Sequence, residues 1–257
     1  MIGPFLRQTW ALTSRYLSQM QAAFIFISLV QPIIWLLLFG ALFKSVVSIP
    51  GFGSGSYITF LTPGVVVMTA LFSAGWSGMN FIDDMESGVM SRMLVSPVHR
   101  GAMMASTLVY QALATVVQSV IIVLLGWALG ARFPSGVPGV AMLILAAVLI
   151  AVAFAALSNG LSLVTRTRET LIAAATALVL PLSFLSFAFM QPNLVPGWIA
   201  AIARYNPVNW AVEAGRAAVA AQVHWGTVGS FVLFLLASVA VASVVATRAF
   251  RSYQHSI

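Results

Sequence analysis

Charged residues in this chain sit in a few islands, and six uncharged, mostly apolar runs lie between them, at residues 16–43, 45–82, 101–131, 133–165, 170–203 and 217–247. The shortest run holds 28 residues. A helix needs about 20 apolar residues to cross roughly 30 Å of hydrocarbon, so each run can span once and none comfortably twice. The pattern predicts an all-α integral membrane protein with six transmembrane helices, near 22–43, 59–82, 103–129, 139–164, 171–190 and 228–247. Proline removes a backbone N–H and crowds the preceding turn, so Gln31-Pro32 is expected to kink the first span and Pro181 to bend the fifth near its middle. Asp83 and Asp84 are too costly to hold deep in lipid and end the second. A loop dense in glycine and serine, 48–56, precedes that span.

Polar residues inside the runs indicate which faces meet protein. Gln111 and Gln118 are seven apart and share a helical face, and Ser158-Asn159-Gly160 needs a neighbouring helix. Gly126 and Gly130 form a GxxxG that either permits a close helix approach or arises by chance. Ahead of the first span, Arg7, Gln8, Ala11, Ser14, Arg15 and Ser18 fall in one wedge opposite Phe5, Leu6, Thr9, Trp10, Leu12, Thr13, Tyr16 and Leu17. That spacing predicts an amphipathic helix in the headgroup layer, its arginines toward anionic lipid; the alternative is a plain extension of the first span. Between spans five and six, 191–227 reads as two short helices. Pro196 and Pro207 suit first helical positions, and Asn206 is a natural N-cap. Trp198, Ile199, Ile202 and Tyr205 give the first an apolar face, and Trp210, Val212 and Val219 the second. Glu213 and Arg216, three apart, can pair across a turn. Such half-length apolar helices rest at the interface or dip back into the membrane.

Composition agrees: 61% of residues are hydrophobic and 7% charged, against roughly 45–50% and about 25% in a soluble domain. A soluble protein is excluded, and a single membrane domain over 1–257 is expected. The first run exceeds a signal-peptide core and is read as a retained span. Absence of cysteine rules out disulfides and thiolate metal sites. The net charge of +7 matters once it is mapped onto the loops. Arg7, Arg15, Arg92, Arg100, Arg166, Arg168, Arg248 and Arg251 share one side, and Lys44, Arg132, Arg204 and Arg216 the other. Eight against four places both termini in the cytoplasm by the positive-inside rule.

Enzymatic and cofactor chemistry has little to work with here. The only lysine, Lys44, follows phenylalanine where a phosphate loop needs Gly-Lys. His99, His224 and His255 have no ligand spacing, and the span cores carry no ionisable group to couple ion flow. No catalytic, cofactor or metal residue is assigned, and an outside energy source is expected. The most informative island is 83–100, DDMESGVMSRMLVSPVHR. It predicts a helix capped by Asp83 or Asp84 and stopped by Pro97. Met85, Val89, Met90, Met93, Leu94 and Val95 are spread around that helix, which suits a protein partner; a solvated interfacial helix is the alternative.

With these residues in place the chain resembles the permease subunits of ABC-2-type exporters, the class that includes daunorubicin-resistance-like efflux permeases and polysaccharide exporters. The resemblance is carried by Asp84, Glu86, Gly88, Leu94, Pro97 and Arg100 after the second span, and by Asn206-Pro207 with Glu213 and Arg216 before the sixth. It implies an amphipathic N-terminal connecting helix, a cytoplasmic coupling helix over 84–97, and external re-entrant helices over 191–227. It also implies a second permease, identical or homologous, and two ABC ATP-binding subunits that hold ATP and Mg. The setting would be the plasma (inner) membrane of a bacterium, among lipid and without nucleic acid.

On that resemblance Glu86 and Arg92 are expected in polar docking to the ATPase subunit, Met90 and Leu94 in apolar docking, and Gly88 in close approach. Asn206, Pro207, Glu213 and Arg216 would form an external gate. Phe72, Trp76, Phe184 and Phe187 would line a substrate pathway, unless they merely pack. Met90-Ser91-Arg92-Met93 departs from the bulkier or acidic residues of relatives, so the partner's identity is not implied. The expected activity is export of a drug, lipid or lipid-linked glycan from the cytoplasm or inner leaflet, energised by the separate subunit. A non-transporting scaffold and a haem or small-ion permease are the alternatives.

Overall fold

A computed structural model describes residues 2–19, 22–43, 56–96 and 98–255, and the described residues form helices joined by turns, with no strand among them. The predicted stop at Pro97 and all but Ser56 of the predicted 48–56 loop lie outside the described residues. In chain order the helices are α1 (Ile2–Gln19), α2 (Ala22–Leu42), α3 (Tyr57–Gly75), α4 (Met79–Glu86), α5 (Val89–Val95) and α6 (Arg100–Ala128). There follow α7 (Gly136–Thr165), α8 (Arg168–Phe184), a 3₁₀ turn at Pro192–Leu194, α9 (Gly197–Ala203), α10 (Pro207–Val219) and α11 (Trp225–His255). Among the described residues four stretches are long and apolar enough to cross a membrane: Tyr57–Glu86, Arg100–Ala128, Gly136–Thr165 and Trp225–Phe250. Within α2, Leu29–Leu42 is a further apolar stretch.

Small residues decide the packing. Helix α7 lies at the centre against α3, α6, α10 and α11, and its Ala146, Ala147, Ala151, Ala155 and Ala156 are completely buried. With no bulk at these positions helix axes can come close, which is how apolar helices gain contact where lipid is as apolar as leucine. Gly160 meets Ala246 of α11. The GxxxG divides its labour: a Cβ on Gly126 would lie 2.6 Å from Thr62 Oγ1 of α3, whereas Gly130, at φ +97°, turns the chain after α6. The expected inward face of α6 is present. Gln111 and Gln118 are both buried, and Gln111 Nε2 donates to Ser73 Oγ at 3.1 Å and Thr115 Oγ1 at 3.3 Å.

Several expected elements come out differently. The second span is interrupted at residues 76–78, between α3 and α4, and its acids lie within α4 rather than beyond its end. The helix expected over 84–97 is likewise two pieces, because Gly88 at φ +69° ends one and starts the other. Asp83 and Asp84 therefore cap nothing; no side chain caps α5. Pro181 lies in the last turn of α8, not in its middle, and the chain from 185 to 190 is irregular. Helix α2 continues through Pro32. In the following loop Asn206 is the N-cap, its Oδ1 accepting from Val208 N at 2.9 Å with Pro207 behind it, as the sequence suggested. Pro196 is itself the cap of α9, one position earlier than predicted. Helix α10 is mostly buried, whereas Trp198, Ile202 and Tyr205 of the α9 region are exposed.

Candidate functional site: an acidic segment at one end, a buried arginine at the other

At one end of the bundle α4 carries three acids, and two arginines from elsewhere in the chain hold them. Asp84 is buried, and Arg15 Nη2 of α1 donates to its two carboxylate oxygens at 2.8 and 2.7 Å. Tyr16 adds a hydroxyl donated to Asp84 Oδ2 at 2.6 Å. The Arg15 guanidinium lies 4.6 Å from the Tyr16 ring centre, and Tyr110 of α6 packs on that ring at 5.8 Å. Burial, then the adjoining carboxylate, pushes the Tyr16 phenol well above its usual pKa, so the hydroxyl stays a donor. Arg15, expected to face anionic lipid, is spent on this ion pair instead. The packed stripe of α1 is Thr9, Thr13 and Tyr16 against α6, with Leu6 and Trp10 left outside.

The second clamp is exposed. Arg168, at the start of α8, reaches Asp83 Oδ1 at 2.8 Å and also pairs with Glu86, and all three side chains are about half accessible. An exposed pair of this kind is screened by solvent and adds little to stability. Breaking a buried one by removing a single partner costs roughly 3–5 kcal/mol. The Arg15 link therefore fixes α1 to α4, and the Arg168 link is free to exchange.

Residues singled out from the sequence divide accordingly. Glu86 and Arg92 are exposed, Arg92 donating to the Ser87 and Gly88 carbonyls at 3.4 Å. Arg100 is exposed at the start of α6, and Leu94 is half-buried. Asp84 and Met90 point inward, Met90 joining Phe81, Met103 and Met104 in a second apolar core. A Cβ on Gly88 would touch nothing within 4 Å, so the glycine is required by its left-handed backbone and not by a close neighbour. Val95, named among the apolar positions of the segment but not among its docking residues, is 89% exposed and is the most accessible large apolar residue here.

The opposite end solves a backbone problem. Residues 185–190 are not helical, so their N–H and C=O groups need partners from elsewhere. Helix α10 supplies them. Arg216 donates to the Phe187 carbonyl at 2.6 Å and the Ala188 carbonyl at 2.7 Å, and to Phe60 O of α3 at 3.3 Å. Its guanidinium lies 3.6 Å from the Phe60 ring centre. Asn206 Nδ2 donates to the Leu182 and Leu185 carbonyls at 2.7 and 2.8 Å, and Asn209 Oδ1 accepts from Phe187 N at 3.0 Å. From α3, Tyr57 donates its hydroxyl to Phe189 O at 3.0 Å, and Gly64 lets the Ala188 carbonyl approach where any Cβ would collide. Glu213 is 3.6 Å from Arg216, a longer contact than any of the carbonyl bonds.

Asn209 and Tyr57 were missing from the sequence reading. Asn209 could have been found, since it follows the cap Asn206 by three positions on the same helical face; Tyr57 gives no such signal. The four aromatics proposed to line a pathway sit in different surroundings. Phe72 packs edge-on to Trp35 at 5.7 Å and Phe187 is buried, while Trp76 and Phe184 are exposed. Trp35 also meets Phe189 at 5.5 Å, which ties α2 to the irregular segment.

Comparison with known proteins covers both ends. The sequence profile described as ABC-2 type transporter matches residues 7–220, which run from α1 to the end of α10. Among curated proteins the chain is 29% identical over 212 residues to transport permease ycf38 of Cyanophora paradoxa, covering 81% of this chain and 73% of that one. It is 28% identical over 224 residues to a daunorubicin resistance ABC transporter permease of Streptomyces coeruleorubidus, covering 87% and 77%. A doxorubicin resistance ABC transporter permease of Mycobacterium tuberculosis is 26% identical over 215 residues, covering 82% and 76%.

Proposed function

The chain belongs to the ABC-2 type transporter family, and we propose from that membership that it is the permease subunit of an ATP-driven exporter of hydrophobic or amphipathic molecules. The observation that carries the reading is the segment α4–α5: a broken helix, anchored to α1 by a buried ion pair, with Glu86, Arg92 and Val95 facing outward. An anchored base with an exposed ridge of mixed charge and one apolar anchor suits docking of a separate protein. ATP and Mg would be held by that protein, present in two copies, and a second permease would complete the pore. The relatives named for daunorubicin and doxorubicin resistance favour a drug over a glycan as cargo.

In this reading the whole chain, 1–257, is one domain with six spans. Helices α2 and α8 join the four long stretches, and the arginine-bearing ends of α1, α6 and α11 face the cytoplasm of a bacterial cell. Residues 185–190, held by Arg216 and Asn206, close the outer face. Docking of the ATPase subunits moves α4–α5, and the movement opens a route at the Arg216 end. Coupling of this kind requires contacts that differ between two states, and the exchangeable Arg168–Glu86 pair provides one.

Two measurements test the reading. Membranes expressing the chain are expected to yield an ABC ATPase subunit on affinity purification, and vesicles holding both are expected to take up daunorubicin only with ATP. Uptake by the permease alone would defeat the proposal. In the same assay Gly88→Val, forced into a left-handed backbone at a cost of about 1–2 kcal/mol, is expected to retain ATP hydrolysis while uptake falls about tenfold. Equal loss of both activities would mean that the substitution merely unfolds the segment.

A further inference from the structure

The break in the second span is built around one hydroxyl. At residues 76–78 the helical ladder shifts to shorter bonds: Ser77 N donates to Ala74 O at 3.1 Å, and Met79 N to Trp76 O at 3.0 Å. Two groups inside the bundle thereby lose their partners, the Gly75 carbonyl and the Gly78 N–H. Ser158 of α7 meets both, donating its hydroxyl to Gly75 O at 2.6 Å and accepting from Gly78 N at 3.0 Å. Gly78 has no Cβ, which is what allows this approach, because a Cβ there would strike the Ser158 carbonyl. The joint is enclosed on its other sides too. A Cβ on Gly75 would lie 3.1 Å from Val179 of α8, and Asn80 Nδ2 caps the Ser77 carbonyl at 3.1 Å.

We infer that Ser158 is a positioning residue for transport: it holds open a hinge at 76–78, about which the acid-bearing α4 turns relative to α3. The chemistry gives the joint two states of similar cost. With Ser158 engaged, every polar backbone group of the turn is satisfied while the helix is broken. With Ser158 withdrawn, Gly78 N and Met79 N can return to the Ala74 and Gly75 carbonyls, and the helix straightens. A hydrogen bond exchanged for another within a buried site changes the free energy little, so a modest pull on α4 can select between the two. The arginine clamps lie on the α4 side of the joint and the Tyr57 and Gly64 contacts with residues 185–190 on the α3 side. Movement at one end can therefore reach the other through this turn. The inference rests on the permease reading and assigns its moving part.

The chain has no cysteine, so spin labels can be placed at will. Cysteines at Ser91 on α5, which is exposed and outside the proposed docking ridge, and Val137 on α7, also exposed, report the swing of the segment against the central helix. In the complete transporter, with its ATPase subunits, the label distance is expected to differ between nucleotide-free and vanadate-trapped states. Ser158→Ala is expected to give one distance in both, with ATP hydrolysis retained and drug uptake down at least tenfold. Thr107→Ala removes an equally buried bond between α6 and α7, from Asn159 Nδ2 at 2.8 Å, and should leave the shift intact. A wild-type shift in Ser158→Ala, or the same loss in Thr107→Ala, overturns the hinge but not the permease assignment, which fails instead if no ATPase subunit associates. Should Ser158→Ala not accumulate, Asn80→Ala loosens the same turn; a reduced shift supports the hinge and a full shift refutes it.

Discussion

Exchanging the charges of Glu213 and Arg216 is expected to abolish transport, and to do so as completely as Arg216→Glu alone. From spacing, a helical ion pair should survive inversion. Its surroundings decide otherwise, since Arg216 faces three carbonyl oxygens and a ring face, all of which attract a cation and repel a carboxylate. Each buried carbonyl left without a donor costs about 1–3 kcal/mol, so even Arg216→Met should release residues 185–190. Arg216→Lys keeps the charge but has no planar fork for adjacent carbonyls, and it should retain part of the activity. Glu213→Gln should be mild, as the pair is 3.6 Å apart and Glu213 is 31% exposed. Drug uptake by vesicles, with a melting temperature for each variant, separates these cases; full activity in the inverted double variant would show that the pair outweighs the carbonyls.

The second large effect is expected at Asp84. Asp84→Asn leaves Arg15 without its counter-ion in a site only a quarter open, and the loss should approach the lower end of the roughly 3–5 kcal/mol seen when one partner of a buried pair is removed. Helix α1 should then come away from α4, exposing the Arg7–Arg15 region to trypsin and cutting uptake more than tenfold. Removing both charges, as Arg15→Met with Asp84→Leu, should restore protease resistance, because a buried pair replaced by apolar residues is often neutral. Glu86→Gln and Arg168→Gln should each leave trypsin resistance close to that of the wild type, because solvent screens that exposed pair. Trypsin sensitivity in the double variant equal to that of Asp84→Asn would mean that the ion pair is not what holds α1.

The helices were legible because charge is so costly in hydrocarbon that its absence marks the runs, and the inward face of α6 followed from glutamines seven apart. The loop helices α9 and α10 followed from proline and asparagine chemistry at their starts. What escaped the sequence is long-range. Nothing near Asp84 announces that Arg15, 69 positions away, will bury it. Nor does any local pattern show that Ser158 will replace two ladder bonds 80 residues earlier. Gly78 carries no signal in the sequence, since a lone glycine in an apolar run looks the same whether it touches lipid or another backbone. The docking residues were chosen by type, and only coordinates could show that Met90 turns inward and Val95 outward.

Helix α8 is 17 residues long. At 1.5 Å per residue it reaches about 26 Å, which falls short of a hydrocarbon layer of roughly 30 Å. In the six-span reading proposed above, lipids beside it must compress, or the irregular segment after Phe184 must make up the difference. Bilayers built from shorter fatty acids relieve that mismatch. The surrounding membrane's thickness thus becomes a setting on this protein, acting at the joint between α8 and the segment held by Arg216.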